Sequence, residues 1–210
     1  MARGNPEKFC QACSDFTPHF HPERLDLLGR GRPRVIFADS MSDWWSPGVE
    51  VKWRSLAMQA MRDDNAHRFV VLTKRPDLIH PMTGGWWPSN AWLGVSITSG
   101  ADWWRWEALA KLPGHIHKMI SVEPLLGGEV GGKMHFGYRT GHLMPEWVIV
   151  GPQSGPGAVK PKAISQERIR AACKDIAIPL FEKAGLPLQP PVRQMPAELA
   201  MVFRKGGLTS

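Results

Sequence analysis

Cys10 and Cys13 form a C-x2-C pair, and His19 and His21 follow it, giving C-x2-C-x5-H-x-H. Two thiolates and two imidazoles are enough donors to close a tetrahedral zinc site, although H-x-H is tighter than the usual finger spacing. An iron–sulfur cluster asks for three or four thiolates, whereas a redox pair needs only the two cysteines. A structural disulfide does not suit a reducing compartment. The third cysteine, Cys173, shares an apolar helical face with Ile169, Ala172 and Ile176, which reads as core packing. The candidate metal ligands are therefore Cys10 and Cys13, with His19 and His21 beside them.

A second set of reactive side chains recurs at the ends of short apolar runs. It comprises Asp39, Ser40 and Asp43; Thr73, Lys74 and Arg75; Ser96 and Thr98; Ser121 and Glu123; Gly151, Gln153 and Ser154; and Glu182 and Lys183. Lys74 and Lys183 are the candidates for catalysis, since a lysine can hold an anion or lose its proton when buried. Glu123 could accept hydrogen bonds from ribose hydroxyls. Residues 151–157, GPQSGPG, form a glycine-rich turn whose backbone can approach a ligand, and whose amides can face a carboxylate or phosphate. It is neither GxGxxG nor a P-loop. Ser40, Asp43, Ser96, Glu123, Gly151, Gln153 and Ser154 make up the candidate cofactor-binding set. Each of these charges taken alone is equally well a structural ion pair.

The elements that must position these residues are six runs: 34–39 RVIFAD, 69–74 FVVLTK, 92–97 WLGVSI, 118–123 KMISVE, 147–151 WVIVG and 178–183 IPLFEK. Each is strand-sized and too evenly apolar for a half-exposed strand, as in a parallel sheet covered on both faces. Helix-compatible stretches lie between them. Ser46-Pro47 predicts a capped start for one, Asp102 caps a second, and Ser165 caps a third. The chain divides into an irregular segment with the C-x2-C (1–33), an α/β body (34–183) and a proline-rich C-terminal extension (184–210) expected to wrap that body. Residues 124–146, rich in glycine, read as a long loop. An eight-unit barrel usually needs more chain, so the pattern predicts a partial (βα)6 TIM-like barrel or an open sheet, mostly parallel. Either would gather the polar ends on one rim.

The 210 residues, 43% of them hydrophobic and 21% charged, exclude a disordered chain and suit one core. No apolar run is long enough to span a membrane and no signal-peptide core is visible, so the expectation is a cytoplasmic protein without a membrane partner. The net charge of +7 is dispersed, which fits a basic groove for nucleic acid or simply a soluble surface. Ten tryptophans against one tyrosine could stack on bases, but packing at the ends of the barrel is the expectation for most of them.

Several segments together carry a family resemblance. They are 21–25 HPERL, 36–43 IFADSMSD, 72–76 LTKRP, 90–96 NAWLGVS, 120–126 ISVEPLL, 147–151 WVIVG with 154–157 SGPG, and 179–183 PLFEK. In this order they resemble a phage and bacterial family of radical-SAM-like proteins, and 72–74 and 121–124 look like elements of the spore photoproduct lyase branch. The resemblance implies a partial (βα)6 barrel of the radical SAM type. It also implies a [4Fe–4S] cluster that cleaves S-adenosylmethionine to a 5′-deoxyadenosyl radical, acting on nucleic acid or a nucleotide. By the same resemblance Ser40 and Asp43 would lie near the amino or carboxylate end of S-adenosylmethionine. Glu123 would lie near its ribose, and 151–157 beside its methionine or adenine portion. The chain departs from the family at the cluster: relatives carry C-x3-C-x2-C followed by an aromatic residue, whereas here C-x2-C is followed by Ser14. Either the first cysteine lies outside this chain or this member has lost it. The alternatives to a cluster enzyme are a non-catalytic basic barrel that binds nucleic acid, and a zinc-stabilised accessory protein.

Overall fold

The computed structural model describes residues 10–28, 30–39, 42–79, 87–126 and 144–206. All six predicted strands are present: β1 (Val35–Phe37), β2 (Arg68–Thr73), β3 (Ala91–Ser96), β4 (His117–Val122), β5 (Trp147–Val150) and β6 (Leu180–Glu182). They form one sheet in the order β1-β2-β3-β4-β5-β6, every neighbouring pair parallel. Parallel crossovers are right-handed, so an order that never reverses puts every crossover on one face. The sheet therefore curls into a half barrel, with helices outside and a concave face inside. An open doubly wound sheet would have needed a reversal of strand order. The glycine-rich loop expected over 124–146 lies mostly outside the described residues.

Strand alternation separates two apolar layers. Phe69, Val71, Leu93, Val95, Ile120, Val122, Val148 and Val150 face outward. There they meet Ala57 and Met61 of α2 (Val51–Asp63), Trp106 and Leu109 of α3 (Trp103–Ala110), and Ile169 and Cys173 of α4 (Ala163–Asp175). Val35, Val70, Trp92, Met119, Trp147 and Ile149 face the concave side. Both layers are buried, which is why the strands read as continuous apolar runs.

The C-terminal extension does more than wrap the outside. After β6 it turns back antiparallel: Glu182 N–H donates to Val192 O and Gln194 N–H donates to Leu180 O, each at 2.8 Å. It then places α5 (Ala197–Gly206) against the concave face, where Leu199 is fully buried among Val70, Trp92, Met119 and Trp147. One helix thus fills the foot of the half barrel, and among the described residues the upper part of the concave face is left uncovered.

The expected helix starts shift for local reasons. Val49 N–H donates to Ser46 O, and Gly48 sits at φ +87°, so residues 46–49 close a turn and α2 begins only at Val51. Asp102 reaches backward instead of capping α3: its Oδ2 accepts the N–H groups of Thr98 and Ser99, both at 2.9 Å. Ser165 is buried inside the first turn of α4, which begins after Lys162. Trp44, Trp45, Trp87 and Trp106 are buried in the outer core, as the packing reading expects. Among the described residues, no helix is long and apolar enough to cross a membrane.

Candidate functional site

The C-terminal ends of the strands form the open mouth of the half barrel. On its concave side Ser96 of β3 is in register with Ser121 of β4. Ser121 Oγ–H donates to Glu123 Oε2 at 3.0 Å, and Glu123 Oε1 lies 2.7 Å from Lys183 Nζ. Glu123 follows β4 and Lys183 follows β6, so the pair reaches across the end of β5. The residue at that end is Gly151, where a Cβ would collide with the Glu123 carboxylate. Glycine here is a steric requirement of the ion pair. Phe37, 41% exposed, is in register with Val70 and so stands at the level of the foot, not at the mouth.

The remaining predicted residues divide. Lys74 follows β2 on the same rim, and its ammonium has no ion pair among the described residues. Asp43 finishes that strand. It accepts Thr73 Oγ1–H at 2.8 Å, Lys74 N–H at 2.7 Å and Trp45 N–H at 3.0 Å. Both of its oxygens are thus engaged by protein donors. Gln153 Oε1 accepts Val159 N–H at 3.0 Å and closes the exposed glycine-rich turn, on which Ser154 is also exposed. Ser40 lies outside the described residues. Ser96, Glu123, Gly151 and Lys183 therefore come together, whereas Gln153 and Ser154 stand apart on their turn.

Two other acids from strand ends are structural. Asp39 is buried, and its Oδ1 accepts Leu72 N–H at 3.1 Å while Oδ2 has no partner among the described residues. Burial, with the nearby Asp43 charge, pushes its carboxyl up to about 8. Glu182 faces outward and fully buried. Arg170 donates to both of its oxygens, at 2.8 and 2.7 Å, and Gln166 Nε2–H and Val192 N–H complete the set. Burial alone would raise this carboxyl, but these four bonds outweigh it and hold the group below its ordinary value. Glu182 belongs to the core and not to the mouth.

The Cys/His quartet is assembled. Cys10 precedes the single turn α1 (Gln11–Ser14), whose geometry brings Cys13 back beside it. Cys10 Sγ lies 3.4 and 3.7 Å from the Nε2 atoms of His19 and His21, and Cys13 Sγ lies 3.2 and 3.3 Å from them. The Cys13 backbone N–H holds the Cys10 thiol below its ordinary value. Sequence reading missed two supporting residues. His19 Nδ1–H donates to Thr17 O at 2.7 Å, and His21 Nδ1–H donates to Glu23 Oε1 at 2.6 Å. A glutamate two positions after a candidate ligand was the available signal.

This group could hold a metal such as zinc, since its four ligand atoms all lie within 4.8 Å of one another. It does not fit a [4Fe–4S] cluster. Only two thiolates belong to the quartet, and a four-iron cube would separate its ligands more widely than this quartet spans. Cys173 cannot help: it is buried in the outer core among helix residues, and burial pushes its thiol up to about 12.

No curated protein and no solved structure matches the chain. A family model described as a protein of unknown function (DUF5131) matches residues 4–187, from the metal-ligand segment through all six strands and past Lys183. The chain belongs to the DUF5131 family.

Proposed function

We propose that this protein is a half barrel of radical-SAM ancestry that binds nucleic acid or a nucleotide at its mouth without iron–sulfur chemistry. The observation that carries the reading is the Glu123–Lys183 pair, laid over Gly151 on the concave face beside Ser121, with Ser96 in register next to it. Such a face offers an ammonium for phosphate, and a carboxylate and hydroxyls for sugar. Lys74 on the rim adds a positive charge with no ion pair among the described residues, as do Lys160 and Lys162, which precede α4. The +7 net charge supplies long-range attraction for a polyanion. Radical-SAM ancestry rests on the motif order and the parallel half barrel, and the donor set gives no support to present-day cluster catalysis.

The test is fluorescence anisotropy of a labelled single-stranded oligonucleotide at increasing salt. Binding should weaken steeply with salt, with a log–log slope set by the number of phosphates neutralised. Lys74→Gln with Lys183→Gln should weaken it by roughly tenfold or more and flatten the slope by about one or two units. No binding at low salt, or binding indifferent to both lysines, contradicts the reading.

A further inference from the structure

We infer that Cys10, Cys13, His19 and His21 hold one zinc ion with closed coordination, and that this clip fastens the N-terminal segment to α2 in place of the cluster the motif order implies. The first argument is distance. Around a tetrahedral zinc with bonds of about 2.3 Å to sulfur and about 2.05 Å to nitrogen, a sulfur and a nitrogen stand roughly 3.6 Å apart. The four sulfur–nitrogen separations here run from 3.2 to 3.7 Å.

The second argument is proton placement. Thr17 O can only accept, and the Glu23 carboxylate accepts from His21, so both Nδ1 atoms carry hydrogens. Each ring then turns its Nε2 inward, as a metal ligand must. These two Nε2 atoms are 2.8 Å apart and face two sulfurs. Nitrogens so close need positive charge between them, a shared proton or a metal cation. A bound metal supplies that charge, and carboxylate or carbonyl support behind a histidine is the usual second layer of a zinc site.

The third argument concerns what the clip holds. Pro18 packs on Gly48, whose added Cβ would lie 3.2 Å from the proline ring, and Phe20 stacks on Trp53 with ring centroids 6.2 Å apart. His19 sits between these two anchors. The helix α2 starts at the mouth end, so the clip lies beside that end. Leu25 and Leu28 then pack against the outer core as the chain descends towards β1. Four protein donors leave no open coordination position, so the ion is structural and not a Lewis acid for substrate.

Elemental analysis of the intact purified chain, combined with cobalt substitution, tests this. One zinc and no iron per chain are expected, and cobalt should give the visible bands of a tetrahedral thiolate site. Chelation of the zinc should lower the melting temperature by roughly 5–10 °C. Cys13→Ser should lose the metal, whereas Cys173→Ser should keep it. If Cys13→Ser does not fold, the cobalt spectrum of the unaltered chain still decides. Three or more irons per chain after anaerobic reconstitution with iron and sulfide overturn the inference. So does a chain with no zinc whose melting is indifferent to chelator.

Discussion

Glu123 and Lys183 meet at 2.7 Å over a strand to which neither belongs. The carboxylate comes from the end of β4 and the ammonium from just beyond β6, and the two reach each other because Gly151, at the end of β5, has no side chain. The pair is half-open to solvent, so its contribution to stability is small. Its value is positional: it holds two opposite charges at a fixed place on the concave rim.

Gly151→Ala tests that arrangement. The added methyl group has to displace the Glu123 carboxylate or move the strand end, so stability should fall by about 1–3 kcal/mol. Oligonucleotide affinity should fall with it. Gly157→Ala is the contrast. Gly157 is exposed at φ +75° with nothing nearby for a methyl group to meet, so only backbone strain of about 1 kcal/mol is expected. Urea melts of both variants, read beside their anisotropy titrations, separate the two effects.

Asp39 makes stability depend on pH in a direction opposite to most carboxylates. Its folded-state value of about 8 lies above the ordinary 3.8, so the folded chain keeps a proton that the unfolded chain releases. Stability from this group is therefore present at low pH and is lost as pH rises from about 4 through about 8. Asp39→Asn keeps an oxygen for Leu72 N–H and removes the charge. It should raise stability at pH 8 by a few kcal/mol and flatten this part of the curve. Thermal melts at pH 5 and pH 8 check the sign.

Arg170→Met should be strongly destabilising. It leaves the fully buried Glu182 carboxylate without its bidentate partner, and losing one member of such a pair costs about 3–5 kcal/mol. Replacing both residues, as Arg170→Met with Glu182→Gln, should recover part of that loss in a double-mutant cycle measured by denaturant unfolding.

Leu199→Ala tests whether α5 belongs to the core. Leu199 is fully buried on the concave face against Trp92 and Trp147, so the truncation should cost about 2–4 kcal/mol. A change below 0.5 kcal/mol would mean that the extension merely rests on the body.

The strands were legible because burial on both faces writes continuous apolar runs, as in 69–74 and 147–151. The consecutive strand order was not, since nothing in those runs says which neighbour each one pairs with. Leu199 and Met195 look like any tail residues, so the filling of the concave face by α5 appears only in three dimensions. At the strand ends, sequence named the right positions but could not separate roles. Glu123 and Glu182 each end an apolar run, yet the first faces the mouth and the second a buried arginine. Alternation decides this, and one residue of register reverses it. The quartet was visible as spacing. Its hydrogen-bonded support from Thr17 and Glu23 depends on ring orientation, which spacing does not record.

The central claim is that ligand meets the mouth and no other surface. Hydrogen–deuterium exchange with and without a single-stranded oligonucleotide tests it most directly. Slower exchange should appear over residues 74–79, 96–102 and 151–162, which follow the strand ends. Protection confined to the opposite end, around Arg34, Arg68 and Arg193, or no protection at saturating oligonucleotide, would contradict the account.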